Sequence, residues 1–266
     1  MLLSEVNCSV IISYYNRPKE VHDLIRSVIR SFGICGRSDF EILIICDGSK
    51  IELEIENEKI KVISLDKNYG RPAIARNFGM DLARGNLLFF SDDDDLWHDY
   101  KVTKYLERFE SNEKIDMICS NGYFFNSAVQ TVTLRDVHTV FRKQGFLHLI
   151  DKNPVIFSSL AVRKDSIKGL RFNESERFKA FEDFEFIKSA IKNGCSLYYL
   201  KDALIYYRIG NEKLTQNFNK FDEYKLFKKR QGQTSNVAIK IQFIKGIVRS
   251  TLGPIRLFIH RLITGN

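Results

Sequence analysis

The sequence lacks the short signatures of several common protein classes. No Gly-x-Gly-x-x-Gly run follows its first apolar segment and no Gly-x-x-x-x-Gly-Lys-Ser/Thr run occurs, which argues against dinucleotide-fingerprint and P-loop chemistry. No uncharged apolar run reaches the roughly 18 residues that a membrane span needs. The first residues, Met1 to Glu5, have neither the basic start nor the long apolar stretch of a secretory signal, so we expect a cytoplasmic protein.

Cysteine is scarce and shows no pairing pattern. The five cysteines are odd in number and have no Cys-x-x-Cys or Cys/His metal spacing. They are Cys8, Cys35, Cys46, Cys119 and Cys195. Most lie in apolar runs typical of strands, where a reduced thiol behaves as a small apolar side chain. We therefore expect buried free thiols rather than disulfides or zinc ligands.

The net charge of +8 is concentrated at one end of the chain. From Tyr224 to Asn266 there are nine Lys or Arg and no Asp or Glu, which leaves 32 basic residues against 33 acidic residues before that point. The hydrophobic content of 44% and the charged content of 28% are ordinary for a globular protein. We expect a main domain over residues 1–220, with halves 1–120 and 121–220, and a basic tail over 221–266.

Four consecutive carboxylates, Asp92 to Asp95, follow the apolar run that begins at Leu87. Adjacent like charges raise one another's pKa, so such a run requires either free access to water or a bound cation. In a loop at a strand end, Asp92 and Asp94 point the same way while Asp93 points oppositely, which offers one divalent ion two hard oxygen ligands. A solvated acidic turn is the alternative that this pattern leaves open.

Apolar runs alternate with helical periodicity over the first half of the chain. Strands are predicted at 8–12, 41–46, 61–65 and 87–91, with one helix from Pro18 to near Gly33 and another after Pro72 that places Ile74, Phe78 and Leu82 near one face. This alternation predicts an α/β fold with a mainly parallel sheet. Loops at the carboxyl ends of such strands share one crevice, so we expect Ser13–Asn16, Asp47 and Asp92–Asp95 to meet.

The second half of the chain is less regular. A strand is predicted at 115–120, a helix from Phe181 to near Gly194, and a last strand at 204–208. The first turn of that helix contains Glu182 and Asp183. Acidic residues at this position complement the helix dipole, and the pattern alone does not separate that role from a catalytic one.

Six short motifs in this order resemble the family 2 inverting nucleotide-sugar glycosyltransferases of the GT-A fold. The resemblance extends from about Cys8 to Arg208. The motifs are Ser9-Val10-Ile11-Ile12-Ser13-Tyr14-Tyr15-Asn16-Arg17-Pro18, Cys46-Asp47-Gly48-Ser49, Ala75-Arg76-Asn77-Phe78-Gly79, Ala83-Arg84-Gly85, Asp92-Asp93-Asp94-Asp95-Leu96-Trp97 and Glu182-Asp183. The acidic run together with Glu-Asp looks most like bacterial enzymes that add hexoses to lipid-linked O-antigen units.

The resemblance implies a nucleotide-sugar donor, bound by residues 1–120, and an acceptor bound by residues 121–220. The implied donor-binding residues are Ser13, Tyr15, Asp47, Arg71 and Asp93. Tyr15 would stack on the base, Arg71 would meet the diphosphate and Asp93 would lie by the ribose. The family usually has two acids before Gly-Ser, and here the first position is Cys46, which leaves Asp47 to accept a hydrogen bond from the base.

The resemblance also implies a divalent metal, Mn²⁺ or Mg²⁺, and a catalytic base. Asp92 and Asp94 would hold the metal, with Asp94 as the direct ligand. Asp183 would take the proton from an acceptor hydroxyl, and Glu182 would position the base or the acceptor. A single displacement inverts the sugar carbon, so no carboxylate nucleophile is required.

The basic tail predicts contact with a membrane surface. Ile255, Phe258, Ile259 and Leu262 repeat at helical spacing, with Arg256, His260 and Arg261 on the other side. Lys228 to Arg230 add a patch for anionic lipid. We expect the tail to bring the enzyme to the inner face of the cell membrane, where a polyprenyl-diphosphate-linked saccharide is presented. The same stripe would also suit packing against the domain or a partner subunit.

Two other functions compete with this interpretation. A nucleic-acid-binding protein would use the basic tail, but the tail has few aromatic residues for base stacking and the acidic crevice repels phosphate. A sugar-nucleotide nucleotidylyltransferase would need a glycine-rich basic loop after the first strand, and the loop from Ser13 to Asn16 does not supply one. We expect no nucleic-acid partner.

Overall fold

The structure is a computed structural model that describes residues 6–49, 57–125, 132–135 and 155–208. The predicted basic tail over 221–266, the boundary near residue 220 and the apolar stripe at 255–262 lie outside these residues.

Nine strands and four helices are present in the described ranges. The strands are β1 Cys8–Tyr14, β2 Phe40–Cys46, β3 Ile60–Ser64, β4 Leu87–Asp92, β5 Leu96–Trp97, β6 Met117–Phe125, β7 Val132–Arg135, β8 Ala161–Arg163 and β9 Leu197–Arg208. The helices are α1 Pro18–Ile34, α2 Pro72–Leu82, α3 Lys101–Ser111 and α4 Glu182–Lys192. Short 3₁₀ turns lie at Phe157–Ser159, Asp165–Ile167 and Glu176–Phe178.

The strands form one mixed sheet in the order β3-β2-β1-β4-β8-β6-β9-β5, with β7 paired to β6. Strand β1 is parallel to β2 and β4, and β2 is parallel to β3. Strand β8 is antiparallel to β4 and β6. The predicted α/β class with a mainly parallel sheet in the first half is confirmed.

Helices cover both faces of the sheet, as the apolar strands require. On one face α1 buries Val21, Leu24, Ile25 and Val28, which repeat at helical spacing. The other face packs against α2 and α4, where Phe186 and Ile187 are buried. Strands β1, β2 and β4 are therefore covered on both sides, whereas the edge strand β3 stays partly exposed.

Helix α2 buries a different side from the apolar stripe that its sequence suggests. Phe78 and Leu82 are 39% and 43% exposed, whereas Gly79 and its small or polar neighbours face the sheet. A Cβ atom at Gly79 would lie 2.4 Å from Cγ2 of Ile11, so the helix approaches the sheet too closely for a larger residue. Close packing of small residues outweighs the burial of the two large ones here.

Strands β6 and β9 extend beyond the predicted ranges of 115–120 and 204–208. They pair in parallel along most of their length, with irregular register at Ser120, Asn121 and Gly122. Polar residues and glycine interrupt the apolar pattern there, which hides the strands from periodicity.

All five thiols are free, and four of them are buried, as expected. No helix in the described ranges is long and apolar enough to cross a membrane.

Candidate active site

The carboxyl ends of β1, β2 and β4 lie side by side. Ser13 near the end of β1 is paired with Asp92 at the end of β4, and Tyr14 is paired with Cys46 at the end of β2. The loops after these three strands therefore open at one edge of the sheet, which we call the carboxyl edge. Parallel strands place a ligand crevice at this edge.

Asp93 is a buried carboxylate held by the loop after β1. Its Oδ2 accepts a hydrogen bond from the backbone N–H of Tyr15 at 2.9 Å, and its Oδ1 accepts one from Nη1 of Arg17 at 2.7 Å. Burial raises the pKa of Asp93 to about 6, against the opposing effect of Arg17. Arg17 also lies 3.6 Å from Oδ2 of Asp94. The Tyr15 side chain is 46% exposed, as stacking on a ligand requires.

Asp95 has a structural position within the acidic run. Its fully buried carboxylate accepts hydrogen bonds from Oγ of Ser158 at 2.5 Å and from the backbone N–H of Arg208 at 3.0 Å. Nε of Arg208 donates to the carbonyl oxygen of Asp94 at 2.8 Å. Asp95 therefore fixes the end of β9 against the acidic run.

Arg76 of α2 joins the acidic run to α4. Its Nη2 donates to Oδ1 of Asp92 at 2.8 Å, and its Nη1 donates to Oε1 of Glu182 at 2.7 Å. Arg76 and Glu182 are buried, whereas the Asp92 side chain is 32% exposed. The structure thus brings Asp92 into one crevice with the helix turn that contains Asp183.

Asp183 lies in the first turn of α4 and is partly exposed. Burial raises the pKa of Asp183 to about 7, the neighbouring charge of Glu182 adds to the rise, and Arg76 opposes it. Its Oδ1 accepts a hydrogen bond from the N–H of Phe184 at 2.6 Å. Ala180, just before the helix, has a φ of 67°, a left-handed conformation that is uncommon for residues other than glycine. A carboxyl group with this pKa suits proton transfer near neutral pH.

Asp47 holds the loop between β3 and α2. Its two oxygens accept hydrogen bonds from the N–H groups of Tyr69 at 2.7 Å and Gly70 at 2.8 Å. The next residue, Gly48, has a φ of 68°, and a Cβ atom there would lie 2.1 Å from the backbone nitrogen of Asn68. The Asp-Gly-Ser motif therefore requires glycine for the close approach of the two loops.

Arg71 follows this loop and contacts the segment before α4. Its Nη1 donates to the carbonyl oxygen of Glu174 at 2.6 Å, and its Nε lies 3.8 Å from Oε2 of Glu176. Within the described residues, Arg71 makes no ion pair with Asp92–Asp95. Asp47 and Arg71 thus lie together on one side of the crevice.

The oxygen donors at the carboxyl edge fit a divalent ion that is shared with a ligand. Mg²⁺ and similar ions use one or two carboxylates, and substrate phosphates and water complete their coordination. Asp92 and Asp94 would provide two such carboxylates, and one oxygen of Asp92 also accepts a hydrogen bond from Arg76. Within the described residues, no group of three or more His, Cys, Asp or Glu side chains is placed to hold a metal. A divalent ion at this edge would therefore need further ligands from a diphosphate and water.

Sequence reasoning assigned no role to four residues that organise this site: Arg17, Arg76, Ser158 and Arg208. Arg17 and Arg76 belong to quoted motifs, but Arg17 precedes α1 and Arg76 lies off the apolar stripe predicted for α2, so periodicity does not mark either residue as buried. Ser158 lies in a region of poor periodicity, where no pattern marks it. Arg208 ends the last predicted strand, but its partner Asp95 is 113 residues away.

The mixed α/β sheet with an acidic cluster at its carboxyl edge has the architecture of the GT-A fold. The family model for glycosyl transferase family 2 matches residues 9–171, so the chain belongs to that family.

Several relatives of this chain are named as glycosyltransferases. An uncharacterized glycosyltransferase of Haemophilus influenzae is 28% identical over 221 residues, which cover 80% of this chain and 82% of the relative. The poly(ribitol-phosphate) β-N-acetylglucosaminyltransferase TarP of Staphylococcus aureus is 27% identical over 221 residues, 79% of this chain and 64% of TarP. The protein is therefore a transferase enzyme.

Solved structures agree on the fold. The crystal structure of S. aureus TarS residues 1–349 with UDP-GlcNAc has a TM-score of 0.63 at 18% identity, and the match covers 83% of this chain. This chain spans 64% of that TarS fragment.

Proposed function

We propose that this glycosyltransferase moves a hexose from a UDP-sugar to a hydroxyl of a lipid-linked saccharide and inverts the sugar carbon. The observation that carries the proposal is the Arg76 bridge between Asp92 and Glu182. Because of it, a carboxylate suited to a metal and Asp183, a carboxyl group suited to proton transfer, share one crevice. Donor activation and acceptor deprotonation both require such groups.

The donor would occupy the side of the crevice formed by the first three loops. Ser13, Tyr15 and Asp47 would hold the nucleoside, Arg71 the diphosphate and Asp93 the ribose. Both oxygens of Asp47 already accept backbone hydrogen bonds, so its contact with the base would use a remaining lone pair. TarS has been crystallised with UDP and with UDP-GlcNAc, which supports UDP as the nucleotide.

Asp183 would act as the base of the reaction. It accepts the proton of the acceptor hydroxyl while that oxygen attacks the anomeric carbon and the sugar–phosphate bond breaks. The nucleoside diphosphate leaves on the opposite face, so the carbon is inverted. A divalent cation bound at Asp92 and Asp94 would supply neutralisation of the charge on the leaving group.

The acceptor proposal depends on the tail and on the relatives. The amphipathic, basic sequence of residues 224–266 supports docking on the cytoplasmic membrane face, where polyprenyl-linked units of O-antigen or another surface polysaccharide are presented. A second candidate is a polyol-phosphate polymer, because TarP is named for poly(ribitol phosphate) and another relative is a teichoic acid poly(glycerol phosphate) polymerase.

The donor and metal proposals are tested by one assay. A panel of nucleotide sugars is incubated with the enzyme in Mn²⁺, in Mg²⁺ and in excess EDTA, and the released nucleoside diphosphate is measured. We expect a UDP-sugar to be consumed only with metal, and Asp94→Asn to lose this activity while keeping the melting temperature of the parent. Asp165→Asn, in an exposed turn, is the control. Parent activity of Asp94→Asn, or full activity in EDTA, would refute the metal assignment.

The membrane proposal is tested with the full chain. Sedimentation with vesicles containing phosphatidylglycerol is compared with sedimentation with neutral vesicles, at low and high salt. Each engaged base contributes about 1 kcal/mol near an anionic surface, so replacing Lys228, Lys229 and Arg230 by Ser should weaken binding clearly. Equal binding to both vesicle types would argue for the tail as a packing or oligomer surface.

A further inference from the structure

Arg76 is an unusual residue for the interior of a helix interface. It lies in the middle of α2, on the side that packs against the protein, and is only 4% exposed. A buried guanidinium is costly unless carboxylates and hydrogen bonds compensate it. The residues that contact the guanidinium therefore indicate the role of Arg76.

Both partners of Arg76 belong to the crevice. Asp92, at 2.8 Å, is the first residue of the acidic run, and Glu182, at 2.7 Å, is the neighbour of Asp183. The guanidinium carbon also lies 3.9 Å from the ring centroid of Phe157, directly before Ser158, whose Oγ accepts a hydrogen bond from the N–H of Asp92. The plane of the guanidinium is thus fixed by a ring and by two carboxylates.

The bridge is not fully satisfied. Within the described residues, the buried atoms Nε of Arg76 and Oε2 of Glu182 have no hydrogen-bond partner. Unpaired buried polar atoms cost free energy, and a purely structural ion pair gains nothing from them. The two unpaired atoms therefore favour a role for the ion pair in placing charged groups in the crevice rather than in stability alone.

We infer that Arg76 is a positioning residue for sugar transfer, which holds the first turn of α4 and its Asp183 against Asp92 through Glu182. The inference rests on the proposed function of Asp183. It assigns Glu182 the role of counter-ion and link rather than contact with substrate. Lysine cannot replace arginine here, since one ammonium group lacks the planar fork that reaches two carboxylates.

The test compares three variants with the parent: Arg76→Lys, Glu182→Gln and the double variant Arg76→Met/Glu182→Gln. The control is Arg84→Lys, because Arg84 also donates to a buried carboxylate, Glu41, but on the amino side of the sheet. For each protein the melting temperature, the donor affinity by calorimetry and kcat are measured. We expect Arg76→Lys to lose about 10–100-fold in kcat, as for residues that orient a catalytic group. Donor affinity should change less, and the control should keep parent kcat.

The pH profile separates positioning from mere folding. Asp183 is faced by Glu182 on its own helix, Arg76 from α2, Asp92 from β4 and the Tyr207 phenol from β9. Arg76 lowers the pKa of Asp183 and Glu182 raises it. The acid limb of kcat should therefore move to higher pH in Arg76→Lys if the ammonium withdraws from the crevice, and to lower pH in Glu182→Gln. In the double variant, which removes both charges, it should return toward the parent value.

Each outcome bears on the inference. Parent kcat and an unmoved acid limb in Arg76→Lys would overturn it. If Arg76→Lys does not fold, the double variant decides, because it leaves no unpaired charge at Glu182, and parent kcat there would also overturn it. Failure of the proposed function is a separate result, namely parent kcat in Asp183→Asn.

Discussion

Two buried carboxylates at opposite edges of the sheet behave in opposite ways. Glu41 lies near the start of β2, at the opposite ends of the strands, which we call the amino edge, and it is 1% exposed. Asp93 lies at the carboxyl edge and is 3% exposed. Burial alone would raise both pKa values. For Glu41, hydrogen bonds from Arg84, Ser9 and Lys61 outweigh burial and lower the pKa, whereas for Asp93 burial prevails.

The difference lies in the number of donors and neighbouring charges. Glu41 accepts hydrogen bonds from Oγ of Ser9, from the N–H and Nε of Arg84, and from Nζ of Lys61, at 2.8–3.1 Å. Asp93 has one cation, Arg17, and stands in a run of four acids. The negative charge of Glu41 is therefore balanced by protein groups. The acidic run at the carboxyl edge has fewer cations than carboxylates, so a bound cation would stabilise it. This contrast is the one expected between a structural acid and the acids proposed to serve a ligand.

The largest expected effect comes from Asp183→Asn. Removing a positioned base costs about 10²–10⁴-fold in rate, whereas its amide analogue keeps the shape of the turn. Transfer and donor binding are measured separately, and donor binding should survive. Glu185→Gln removes another acid from the first turn of the same helix and is the control. If both variants lose little rate, the acids only complement the helix dipole.

The reverse pattern is expected at the amino edge. Glu41→Ala leaves the buried Ser9 hydroxyl without its acceptor and removes the carboxylate that Lys61 and Arg84 share, so it should lower the free energy of unfolding by about 2 kcal/mol. The kcat of the folded enzyme should stay at the parent value. Chemical denaturation and a transfer assay measure the two quantities. Glu107→Ala, an exposed acid on α3, should change neither. A catalytic defect in folded Glu41→Ala would break the distinction between the two edges.

The sequence predicted the first half of the fold because its signals are local. The apolar runs before Ser13, Asp47 and Asp92 are each buried strands, and their parallel order places their ends together. The contacts that organise the crevice are not local. Arg76 meets Glu182 across 106 residues, and no periodicity relates the two positions.

Helix α2 shows the other limit of the sequence argument. Its large apolar residues Phe78 and Leu82 suggest a buried stripe, but the helix packs through Gly79, Ala75 and Arg76. Apolar periodicity predicts which side of a helix is large and hydrophobic. The buried side of α2 instead depends on the close approach of the helix to the sheet at Gly79 and on the ion pair of Arg76. The Ala83-Arg84-Gly85 motif is explained only by the structure, since a Cβ atom at Gly85 would lie 2.6 Å from the nitrogen of Ser9.

Activity and stability should respond to different pH ranges. If Asp183 must be ionised, the rate should fall about tenfold per pH unit below its pKa of about 7. Glu41 has a lowered pKa in the folded state, so its contribution to stability is present above the pKa of the unfolded chain. That contribution is lost only as the pH falls through the lower folded value. The upper limit of the range that separates the two effects is the Asp183 pKa of about 7, and the lower limit, roughly pH 5, lies just above the ordinary pKa of a glutamate in the unfolded chain. Between these limits the enzyme should lose rate while it stays folded.

The measurement is a pH profile of kcat beside thermal unfolding over the same range. The charges of Glu182, Arg76 and Asp92, with the neutral Tyr207 phenol beside them, set the position of the acid limb. A rate that follows the melting temperature would show that acid inactivation is unfolding.

The smallest expected effect concerns backbone strain at the carboxyl edge. Asn16 and Ala180 are the residues other than glycine with positive φ in the described ranges, and both border the crevice. A left-handed alanine costs about 1 kcal/mol or more, so Ala180→Gly should stabilise the protein by about 0.5–1 kcal/mol after the added freedom of the unfolded chain is counted. Ala190→Gly, within α4, should instead destabilise it by about 1 kcal/mol or more, since that residue is helical and buried. Denaturant unfolding measures both, and equal losses in the two variants would show that Ala180 carries no strain in solution.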